Sequence, residues 1–149
     1  MKNFFVIIKI FTIFLLISSQ TNSAQPNYFD KGLKLFNVKN YEESKFLFEQ
    51  DIVFNPKSEK SYLYLAKIFE EKENEIEVEK NLNNVLLLNP KNEEAIYMLT
   101  LLKITQSDYK IAKELINTFN LVCKSLCSKK DQLEKKFKVL IPDNAKDNN

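Results

Sequence analysis

Along residues 27–122, apolar side chains recur at the three- and four-residue spacing of amphipathic helices, and short polar breaks punctuate them at regular intervals. The pattern predicts a first helix over Asn27–Val38, with Tyr28, Gly32, Leu35 and Phe36 on one stripe. A second, Tyr41–Phe54, carries Tyr41, Ser44, Phe48 and Ile52, and Asn55-Pro56 stops it. Ser58 N-caps a third helix to Lys72, with Tyr62, Leu65, Ala66 and Phe69 inward. A fourth runs to Leu88 and buries Val78, Leu82 and Val85 before Asn89-Pro90. Asn92 caps a fifth helix with Ile96, Leu99, Thr100 and Ile104 on one side; Tyr109, Ala112, Ile116 and Phe119 carry a sixth to Val122. Ser128 then caps a last helix ending near Leu140, with a narrow stripe of Leu133, Phe137 and Leu140.

The helices come in pairs, and the pairs repeat. Pro56 to Pro90 is one period of 34 residues, a length found in stacked helix-pair arrays. Expected boundaries are 25–56, 57–90 and 91–124 for three repeats, 128–140 for the closing helix, and 142–149 for a polar, disordered tail. A single glycine and four prolines in 149 residues agree with an all-α chain rather than a turn-rich β fold.

Residues 1–24 read differently. Met1-Lys2-Asn3 is a short positive start, Phe4 to Ile17 is apolar apart from Lys9 and Thr12, and Ser18 to Ala24 is small and polar. This is the layout of a secretory signal peptide cut after Ala24. The alternative is an uncleaved anchor, against which the run Ile10 to Ile17 is far short of the ~20 residues that span a bilayer. The expected location is periplasmic or secreted, with membrane contact only through the transient leader.

Charge narrows the function further. Removing Lys2 and Lys9 with the leader leaves basic and acidic side chains in balance, and the chain has neither His nor Arg. Without a basic stripe or guanidinium groups, nucleic acid is not an expected partner. Without His there is no Ser-His or Cys-His dyad, and one glycine cannot build a phosphate loop. The acidic run Glu70 to Glu79 reads as a solvated helix face and turn. No enzyme activity, cofactor, metal or small-molecule substrate is expected.

Cys123 and Cys127 are the only thiols. The favoured reading is a structural disulfide in an oxidising compartment, fixing the angle between the sixth helix and the last; free thiols, or a redox or metal role, remain open at this level. Closing so short a loop contributes about 2 kcal/mol at most on the chain-entropy model.

The sequence resembles the tetratricopeptide repeat family over residues 27–122. Tyr62, Leu65-Ala66, Phe69 and Asn89-Pro90 carry the resemblance in the middle repeat; Tyr28, Gly32, Leu35, Asn40-Tyr41, Phe48 and Asn55-Pro56 in the first; Ile96, Leu99, Asp108-Tyr109, Ala112 and Phe119 in the third. Lys31 and Asp51 depart from it, and the third repeat lacks a closing proline. The resemblance implies an α-solenoid of three helix pairs with a C-terminal capping helix. It also implies a concave groove lined by the first helix of each pair: Phe29, Leu33 and Phe36, then Leu63, Tyr64 and Lys67, then Tyr97, Met98, Leu101 and Ile104. These residues are expected outside the core stripes. Phe29 and Leu33 replace the Lys and Asn with which one subset of the family clamps a terminal carboxylate, so that binding mode is disfavoured.

The expected function is a non-enzymatic interaction scaffold or adaptor of the cell envelope, binding a protein or peptide in that groove. Two rival coverings of the groove stand beside it: this chain's own flanking segments or C-terminal helix, and a sister subunit in a self-associating envelope protein.

Overall fold

The computed structural model describes residues 27–140. The expected leader (1–24) and tail (142–149) lie outside them. The described residues form seven α-helices: α1 Tyr28–Asn37, α2 Tyr41–Phe54, α3 Glu59–Glu71, α4 Glu75–Leu88, α5 Glu93–Thr105, α6 Tyr109–Val122 and α7 Lys130–Leu140, with a 3-10 turn Cys127–Lys129 before the last. No strand occurs among the described residues.

The turn inside each pair is built the same way three times. Lys39, Glu73 and Ser107, spaced by the repeat, hold φ at 60°, 55° and 60°, the left-handed conformation that ends a helix. The next residue's N–H donates back five residues: Asn40 to the Leu35 carbonyl at 2.9 Å, Asn74 to Phe69 at 3.0 Å, Asp108 to Lys103 at 2.9 Å. That same residue N-caps the following helix, its side-chain oxygen accepting from the N–H of Glu43, Glu77 or Ile111. One residue thus closes one helix and opens the next, and the two pack as an antiparallel hairpin.

Three small side chains at the repeat interval, Gly32, Ala66 and Thr100, are fully or almost fully buried and let the paired helices approach. Phe48, Leu82 and Ile116, at the same interval on the second helix of each pair, are buried too, Phe48 directly against Gly32. Gly32 has no alternative: a Cβ there would lie 2.8 Å from Cε1 of Phe48. The Ser44 hydroxyl donates to the Gly32 carbonyl at 2.9 Å, which satisfies that fully buried polar side chain.

Each pair packs on the next, α2 against α3 and α4 against α5, so that the array stacks in one direction. Lys31 and Asp51, the two departures in the first repeat, correspond to Leu65 and Val85, which are buried one repeat later. Among the described residues no helix packs beyond the first pair. Lys31 is therefore exposed, and Asp51 accepts the hydroxyl of Ser61 at 2.5 Å. At the other end α7 packs on both α6 and α5, where the first helix of a fourth repeat would sit. Leu133 is its buried anchor and Phe137 meets Tyr109 edge-on with ring centres 6.3 Å apart.

Two local expectations change. Ser58 is the N-cap residue, but its hydroxyl donates to Ser61 at 3.0 Å instead of accepting a backbone N–H. Ser128 does not cap α7; it lies inside the 3-10 turn that delivers the chain to Lys130, because the preceding loop is already held tightly.

Candidate functional site

The groove-lining helices α1, α3 and α5 bring the expected residues to one side, but not equally into the open. Leu63 and Met98 are each only 8% exposed and belong to the central core with Ala66, Val78, Leu82 and Leu99. Ile104 is buried as well. The expectation that Leu63 and Met98 stand outside the core does not hold, while Ile104 follows the fifth helix's apolar stripe. α3 and α5 have neighbours on two flanks, so their apolar face is wider than a single stripe.

Phe29, Phe36 and Tyr64 are half-buried and cover one another. Tyr64 meets Phe36 edge-on with centroids 5.0 Å apart and Phe29 at 5.7 Å, and lies 5.3 Å from the buried Phe48 ring. Lys67 sits 4.6 Å from the Tyr64 ring and pairs with Glu94 at 2.8 Å. Its charge is therefore committed within the protein. Leu33 is half-buried on α1. Tyr97 lies 6.1 Å from Phe119 and its hydroxyl donates to Gln132 of α7 at 3.3 Å.

The C-terminal helix thus closes one end of the groove. What stays open is a cavity of about 370 Å³ whose apolar lining is Phe36, Tyr97, Met98, Leu101 and Leu126. It runs, through Glu70, Met98 and Leu101, into a second of about 430 Å³ beside the α3–α4 turn. A third, of about 440 Å³, lies between α5 and α7 and is lined by Leu101, Ile104, Val139 and Leu140 with Lys135 and Lys136.

Carboxylates gather along this surface, a feature the sequence reading missed. Glu70 and Glu71 border the first cavity and Glu70, Glu73 and Glu75 the second. Although the Glu70 side chain reaches solvent, the protein packed around it and then the neighbouring Glu71 charge raise its carboxyl above the ordinary range, while Lys67 pulls the other way. Lys129 lines the first cavity too, as do Lys67 and Glu94, which pair with each other. The acidic run was legible as such in the sequence; its position beside the groove depends on how the turn is placed in three dimensions.

A second structural cluster holds α7 in place. Cys123 and Cys127 are joined, with Cα atoms 5.2 Å apart, inside the ~7 Å a disulfide tolerates. The loop they close turns three backbone N–H groups, those of Lys124, Ser125 and Leu126, toward the Glu93 carboxylate at 2.8, 3.1 and 2.9 Å, and the Ser125 hydroxyl donates to it as well. These donors, the hydroxyl foremost, hold the Glu93 carboxyl down to about 2. Glu59, one repeat earlier, does the same work with side chains: its Oε1 accepts from Asn89 at 2.9 Å and Asn92 at 2.5 Å.

Among the described residues no group of three or more His, Cys, Asp or Glu side chains is gathered as a metal site, and no helix is long and apolar enough to cross a membrane.

No protein-family model matches the sequence, and no curated protein is significantly similar to it. Solved structures do match in fold. The first tetratricopeptide domain of Spaghetti (RPAP3), bound to the HSP90 peptide SRMEEVD, superposes with a TM-score of 0.67 at 16% identity, covering 76% of this chain and 90% of that one. The TPR2B domain of yeast Sti1, in its pHsp70 complex, gives 0.67 at 16% identity over 74% and 92%. A chain of the CopN–Scc3 complex gives 0.62 at 13% identity over 80% and 79%. The chain therefore has a tetratricopeptide-repeat fold: an all-α solenoid of three helix pairs with a C-terminal helix.

Proposed function

We propose that this chain is a non-enzymatic scaffold that binds a protein or peptide in its concave groove, and that the leader carries it to the periplasm or outside the cell. The observation that carries the reading is the open apolar floor of Phe36, Tyr97, Met98 and Leu101. Such a floor favours a partner with a few large apolar anchors. Two of the structural neighbours are complexes with HSP90-peptide or pHsp70 partners, which supports the same use of the fold here.

Capture from envelope extract by the wild-type chain and by Leu101→Asp tests it. Leu101 is a half-buried lining residue common to all three cavities, so the change charges the floor without opening the core. A partner held equally by both proteins would count against the groove. Fractionation, with N-terminal sequencing of the mature chain, tests the location.

A second reading is self-association. Val53, Leu87 and Leu121, spaced by the repeat, are 69%, 81% and 87% exposed and form a periodic apolar row outside the groove. Light scattering on the wild type and on Leu87→Lys separates the readings: a monomer in both cases removes this one.

A further inference from the structure

Resting on the groove reading, we propose that the segment seated there is a basic amphipathic helix of a partner protein, its lysines or arginines facing the carboxylates at the end of α3. The cavity floor is apolar, so the occupant brings apolar anchors. The wall formed by Glu70, Glu71 and Glu73 decides its charge. None of these three carboxylates makes a hydrogen bond or ion pair with the described residues. Of the cations nearby, Lys67 is held by Glu94 at 2.8 Å and Lys72 by Glu42 at 2.5 Å, while Lys129, which lines the same cavity, makes no ion pair with any of the three.

The physical consequence is selective. Any segment that covers the floor also removes water from the Glu70 side of the groove. A neutral or acidic segment would leave those carboxylates desolvated and unpaired, whereas a cation beside each apolar anchor turns the same burial into charge-assisted hydrogen bonds. Lys129, in the 3-10 turn, lines the first cavity, and Lys135 and Lys136 on α7 line the third, so the occupant's basic face is expected toward the α3 carboxylates and away from α7. The wall is therefore a filter against acidic tails as well as a seat for basic ones.

Two synthetic 14-residue amphipathic peptides test this by fluorescence anisotropy against the full chain: one of leucine and lysine, the other with every lysine replaced by glutamate. The lysine peptide is expected to bind at least about tenfold more tightly, with affinity falling as salt is raised. Glu70→Gln, Glu71→Gln and Glu73→Gln together are expected to erase that preference and flatten the salt dependence, with helix content unchanged by circular dichroism. Equal or tighter binding of the glutamate peptide, or a triple variant that keeps the wild-type preference, overturns the proposal. Leu101→Asp separates the two levels. If both peptides bind equally and both are lost in that variant, the groove stands and the charge filter falls. If neither peptide binds the wild type, both fall.

Discussion

The carboxylate of Glu93, at the start of α5, accepts the backbone N–H of Leu126 at 2.9 Å across 33 residues of chain. With the N–H groups of Lys124 and Ser125 it ties the loop after α6 to the first turn of the helix before it. The ordinary repeats end in Asn-Pro; the third ends in a disulfide loop, and the acid at the repeat-equivalent position grips both kinds of corner.

The first prediction concerns acid. The Glu93 carboxyl is held down to about 2, below an ordinary glutamate near 4.3. A lowered folded-state pKa contributes stability that is fully present above the unfolded value and is lost as pH falls through the folded one. The melting temperature of Glu93→Gln is therefore expected to lie below wild type at pH 7. The gap should close between about pH 4.3 and 2. The site is close to solvent, so the effect is modest. A gap that is constant across that window would show the carboxylate charge to be irrelevant.

The second concerns the one glycine. In Gly32→Ala the new methyl meets Phe48, a fully buried ring packed beside Phe29 and Tyr64. Overpacking costs about 1–3 kcal/mol, against about 1 kcal/mol gained from helix propensity. Net destabilisation by urea denaturation is expected, and a second substitution, Phe48→Leu, should recover part of it.

The third concerns the left-handed turn residues. Lys39 and Glu73 adopt a conformation costing an L-residue roughly 1 kcal/mol that glycine does not meet. Lys39→Gly and Glu73→Gly are each expected to raise the urea midpoint. Both are exposed, so no packing is lost. Lower midpoints in both would show the turn strain to be negligible.

The fourth concerns the disulfide. Replacing Cys123 and Cys127 together by serine is expected to cost about 2 kcal/mol at most, and to act locally. Amide exchange should rise in the 124–126 loop and in α7, with α1 to α4 unchanged. Global loosening would mean that the bridge serves the whole stack.

The sequence by itself determined the helices, their pairing and their interval. Each turn carries its own closing and capping residues within a few positions, and the stripes of Phe48, Leu82 and Ile116 repeat at the period of the array, so this information is local or periodic. The cysteine pair was legible for the same reason, being four residues apart. Only the tertiary structure decided which lining residues remain open. Leu63 and Met98 sink into the core because α3 and α5 are flanked on two sides; Tyr97 is roofed by α7; and the acids of the α3–α4 turn come to border an apolar floor supplied largely by α5. Exposure depends on what neighbouring elements cover, and that is set by long-range packing, which no window of sequence contains.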